Sequence, residues 1–80
     1  MNETLKHKGR MQELDLKNRE IALRMEGLIG SIRDILDPFA HLADLRCDIA
    51  AEQAVQLAEL QIQYKANIET ISAIKKALGQ

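Results

Sequence analysis

Ile21-Ala22-Leu23-Arg24-Met25-Glu26-Gly27-Leu28-Ile29-Gly30-Ser31-Ile32-Arg33-Asp34-Ile35-Leu36-Asp37-Pro38-Phe39 is the stretch on which the fold turns. Ile21, Met25, Leu28, Ile32 and Ile35 recur at alternating steps of four and three, the spacing of one helix face. Met11 and Leu14 extend the series towards the N-terminus, with Asn18 as its polar member. Asp37-Pro38 then interrupts it. Proline lacks an N–H and fixes φ, and it pushes the residue before it out of the helical region. The spacing therefore predicts one helix over about 3–36 and a second over 38–78. Asp37 would cap the second helix.

Around that break the pattern is helical on both sides. Asn2 or Thr4 is placed to cap the first helix, and Gly9 weakens its first turns. Gly27 and Gly30 raise the choice between a break and a continuous helix that another helix approaches closely. Leu28, Ile32 and Ile35 keep their register across the glycines, which favours continuity. In the second helix the apolar series reads Leu42, Leu45, Ile49, Gln53, Leu57, Leu60, Tyr64, Ile68, Ile71, Ile74 and Leu78. Its mean step is nearer 3.6 than 3.5, which predicts a straight helix rather than a supercoiled one. Lys75 and Lys76 suit the negative end of the helix dipole, and Gly79 suits its C-terminal cap. Val55 and Ile62 fall on a second flank.

Two amphipathic helices of similar length, joined at a tight stop, predict an all-α antiparallel hairpin forming a single domain over 1–80. A one-residue stop would set Met25 near Ile49 and Leu14 near Leu60. A two-helix chain of 80 residues buries too little apolar surface to offset its ordering entropy comfortably. Pairing into a dimeric four-helix bundle is the expected remedy. The expected core and interface residues are Leu14, Ile21, Met25, Leu28, Ile32 and Ile35 of the first helix. From the second they are Leu45, Ile49, Leu57, Leu60, Tyr64, Ile68 and Ile71.

Composition narrows the function. The formal net charge is −1 and aromatic residues make up 2% of the chain, so no global field or aromatic platform favours nucleic acid. Cys47 is the single cysteine, which excludes an intramolecular disulfide. No apolar run reaches the roughly 18 residues of a membrane span, and the first residues lack the apolar region of a signal peptide. A cytoplasmic, non-enzymatic protein with no membrane association is expected.

Three local patterns carry chemistry in principle. Asp44, Asp48 and Glu52 recur at steps of four, with His41 three residues earlier. Carboxylates so spaced hold divalent cations in some all-helical enzymes, but a solvated acidic face explains them more simply. Cys47 has no convincing base beside it in sequence and no paired cysteine, so neither a nucleophile nor a zinc site is expected. Lys6, His7, Lys8 and Arg10 form a basic patch which, with Arg19 or Lys75, is the basis of the alternative reading as a nucleic-acid-binding dimer. A third and weaker reading is a metal-dependent hydrolase. Catalytic residues, metal and cofactor are expected to be absent. Asn18 and Gln53, polar members of apolar series, are candidates for fixing register and oligomeric state.

The segments Ile35-Leu36-Asp37-Pro38-Phe39, Asp48-Ile49-Ala50-Ala51-Glu52-Gln53-Ala54 and Ile74-Lys75-Lys76-Ala77-Leu78-Gly79 resemble short all-helical proteins of unknown function from Mu-like prophages. That resemblance implies a small phage accessory protein and carries over no functional residue. Protein–protein interaction or assembly, chiefly between copies of the chain, is the function expected, with a further protein partner left open.

Overall fold

The computed structural model describes residues 3–79. It consists of α1 (Glu3–Ile35), a single 3₁₀ turn (Leu42–Asp44) and α2 (Cys47–Ala77). The two helices run antiparallel and pack along their length as a hairpin measuring 62 × 17 × 15 Å. Its radius of gyration is 18.1 Å, against about 12 Å for a compact chain of this length. The core is a single line of side chains between two helices.

α1 is continuous across Gly27 and Gly30. A Cβ added at either glycine would meet nothing within 4 Å, so neither is required by a neighbour inside the hairpin. Leu14 and Ile21 are buried, and Met11, Met25, Leu28, Ile32 and Ile35 are half-buried. The face predicted from their spacing is the face that packs. Asn2, one of the two candidate caps, lies outside the described residues.

The connection differs from the expected one. α1 ends at Ile35 rather than Leu36, and α2 begins at Cys47 rather than Pro38. Asp37-Pro38 starts a turn, not a helix. The Phe39 N–H donates to the Asp37 carboxylate at 3.0 Å, and the Ala40 N–H donates to the Asp37 carbonyl at 3.2 Å. Aspartate first and proline second is the preferred order for such a turn. Reversing the chain also demands a lateral step between helix axes of roughly 8–10 Å. The chain makes this step in extended backbone at His41 (ψ 133°) and Leu45 (ψ 135°), with the 3₁₀ turn between them.

α2 then starts without a side-chain cap at Arg46. It stops as expected. The Leu78 N–H bonds to the Ile74 carbonyl, the Gly79 N–H bonds to the Lys76 carbonyl, and Gly79 takes φ +76°, a conformation that costs glycine little.

The late start of α2 resets the register. The Asn18 amide reaches Tyr64 and Asn67. Counting antiparallel from there sets Met25 level with 57–60 and Leu14 with 68–71. The expected pairings of Met25 with Ile49 and Leu14 with Leu60 are therefore corrected by roughly ten positions.

Candidate interaction surfaces

The inward positions of α2 are Ile49, Gln53, Leu57, Leu60, Tyr64, Asn67, Ile71, Ile74 and Leu78. From Leu57 onward they step by three and four in strict alternation, a mean of 3.5 and the same repeat as α1. Over the whole series from Ile49 to Leu78 the mean step stays near 3.6, as expected, because Ile49, Gln53 and Leu57 step by four; what changes is the order of the steps beyond Leu57. Ile68 is 47% exposed and Asn67 holds the inward place. Leu42, also assigned to the series, is 85% exposed in the turn. Leu45 is half-buried but belongs to the connection, not to α2. Ala50 is buried although nothing in a series of large residues marks it.

Asn67 is inward because it has a partner. Its side-chain amide donates to the Asn18 carbonyl oxygen at 2.8 Å, and the Asn18 amide donates to the Tyr64 backbone carbonyl at 3.3 Å. Asn18 is buried at the centre of α1's inward face. An amide there without partners would lose its hydration for nothing in return, whereas the crossed pair satisfies the oxygen and one N–H. Asn18 therefore bonds across the hairpin and sets helix against helix. Gln53 does not share this role. Its buried side-chain oxygen accepts no hydrogen bond among the described residues.

The structure separates the acidic residues suspected of metal binding. Asp44 lies in the 3₁₀ turn, outside the helix carrying Asp48 and Glu52. Asp48 forms a 3.5 Å ion pair with Arg46. That hydrogen bond, followed by the Ile49 backbone N–H, holds its carboxyl below the usual range. Among the described residues no three His, Cys, Asp or Glu side chains gather where they could hold a cation. Cys47 is a free, exposed thiol at the first turn of α2. Lys6, Lys8 and Arg10 are exposed along α1, while His7 turns partly inward. No described helix is long and apolar enough to cross a membrane.

The hairpin's surfaces follow from the repeat. Residues one step before an inward position, namely Lys17, Arg24 and Gln63, line one shallow groove together with Glu20 and Asn67. That side is polar. Residues one step after an inward position lie on the other side, where Ala22, Ile29, Leu36, Ala54 and Ile68 alternate with charged residues such as Asp15, Arg19, Glu26, Arg33 and Lys65, so this is the more apolar of the two sides. Two residues from an inward position is about 200° round a helix, which is the outer face. On α1 that face carries Leu16 and Leu23, 58% and 69% exposed; on α2 it carries Val55 and Ile62, 59% and 68% exposed. At the turn, Phe39 is 94% exposed.

These surfaces offer burial and shape, with one polar latch inside, and no nucleophile–base pair or gathered ligand set among the described residues. Comparison with protein families, with curated proteins and with solved structures finds no match to the chain.

Proposed function

We propose that this protein is a non-enzymatic helical assembly module that works by associating with copies of itself, a dimeric four-helix bundle being its smallest complete unit. The observation that carries the reading is the surface left uncovered. The chain exposes 6300 Å², whereas a compact protein of its 9.0 kDa mass exposes about 4,900 Å². No described side chain is completely buried, and Ile29, Leu36 and Ile68 remain more than two-fifths exposed on the apolar side of the hairpin. Two copies meeting on that side would bury the flank of both helices, with Ala22 and Ala54 permitting close contact. The polar groove side would stay in water. The resemblance to short prophage proteins supports an accessory role in a phage setting.

Sedimentation equilibrium tests the reading. The expected mass is at least twice 9.0 kDa at micromolar protein. Ile29→Asp combined with Ile68→Asp, both on the half-exposed side, should shift the population to monomer. Leu60→Asp is a different experiment: Leu60 is 4% exposed in the seam, so a charge there unfolds the hairpin itself. A wild-type mass of one chain across the concentration range refutes self-association.

A further inference from the structure

The outer faces of α1 and α2 carry a pattern that the hairpin does not use. In a lone pair of helices the position opposite the seam is the most hydrated, and charged residues belong there. Here it holds Leu16 and Leu23 on α1 and Val55 and Ile62 on α2, each seven residues from its mate. Between the leucines on the same face lies Arg19, and between Val55 and Ile62 lies Glu59. Both are exposed, and neither makes an ion pair among the described residues.

We propose that the outer face of α1 in one copy packs antiparallel on the outer face of α2 in a second copy, with Leu16 on Ile62, Arg19 beside Glu59 and Leu23 on Val55. The three pairs fall in one register. The same register brings Gly27 opposite Ala51, so the helices can approach closely where the α1 backbone has open space. It also gives a role to Gly27, which weakens α1 without serving the hairpin. The contact runs from Leu16 to Gly27 at least, and it takes up surface of which the chain has an excess.

Other pairings of the same faces fit less well. Pairing α1 with α1 leaves Val55 and Ile62 uncovered. Pairing α2 with α2 about Val55 and Ile62 sets Asp48 beside Glu69. Only the mixed pairing covers both stripes; within it Arg19 meets Glu59 at the centre of the contact, while Glu26 and Glu52 meet at its edge.

The geometry has a direct consequence. The two outer faces point away from each other, so the contact is head-to-tail and two copies cannot close it. Hairpins stand side by side in a row, each displaced along its axis by seven residues counted from the Asn18–Asn67 pair, or roughly 10 Å, from the last, given the 1.5 Å rise per residue. This inference rests on the self-association proposed above and names a surface distinct from the apolar side of Ile29 and Ile68.

Cysteine cross-linking tests it, with Cys47→Ser removing the native thiol. On that background Leu16→Cys and Ile62→Cys are made singly and together, at sites exposed enough to leave the hairpin folded; the circular dichroism spectrum checks this. Oxidised separately, each single variant should remain uncross-linked. Mixed, the two should give a disulfide-linked pair. The double variant should give a ladder of three, four and more chains on a denaturing gel. Cross-linking of either single variant alone overturns the mixed pairing. An uncross-linked mixture, from a protein whose mass still exceeds one chain, overturns it too and leaves the proposed assembly function standing. A wild-type monomer removes both.

Discussion

Asn18 is the one buried polar residue among those described, and its two hydrogen bonds reach α2 over 46 and 49 residues of sequence. Sliding α2 by one seven-residue repeat would return apolar to apolar along most of the seam, but would take Asn67 away from Asn18. The pair thus selects one register among several of similar burial, as single polar positions do in helical bundles. A double-mutant cycle with Asn18→Ala and Asn67→Ala should yield a coupling energy of about 1 kcal/mol in urea unfolding. A coupling near zero would mean that the two side chains are solvated independently. Asn18 stood out in the sequence because it interrupts an apolar series. Asn67 did not, because Ile68 beside it offered a more hydrophobic choice and spacing alone cannot distinguish three from four. Seen with its partner, Asn67 restores the strict alternation of three and four that the isoleucine obscured.

At the scale of the elements, α1 was legible almost residue for residue. Its inward series is long and regular and has strong helix formers between its members. The start of α2 was not. Asp-Pro is compatible with a cap on a new helix and with the first half of a turn, and both readings satisfy the same backbone rules. What decides is the lateral distance the chain must cover, a property of the pair of helices rather than of either sequence. The acidic series Asp44, Asp48 and Glu52 fell with that boundary. Among the interface candidates, Ile68 left the seam for the same reason that Asn67 entered it. The outer leucines escaped notice because a sequence scan seeks one stripe per helix. Gly30 gives a quantitative check on α1. It sits in the helix interior with open space where a Cβ would go, so Gly30→Ala should raise the hairpin's stability by about 1 kcal/mol, measured by thermal or urea unfolding. A destabilising effect would indicate that another backbone lies against this glycine.

At the scale of the whole molecule, the long narrow shape is the dominant fact. A rod with one line of core has little cooperative reserve, and on the self-association proposed above its stability depends on company. The proposed association binds the folded state only, so the proposal requires the melting temperature to rise with protein concentration. Scanning calorimetry from micromolar to millimolar protein measures this, and a constant melting temperature over that range would mark the hairpin as self-sufficient. The eleven-residue link from Leu36 to Arg46 also has a kinetic meaning. Contacts near the turn such as Ile35 with Ile49 close a loop of 14 residues, whereas Asn18 and Asn67 close one of 49. Loop-closure entropy grows with that separation, so the chain gains its first contacts most cheaply beside Asp37-Pro38 and then zips towards the open end. Ile35 and Ile49 meet early and Leu14 and Ile71 late. The polar latch forms partway along, where it can reject a misaligned strip before the remaining half of the seam has closed over it.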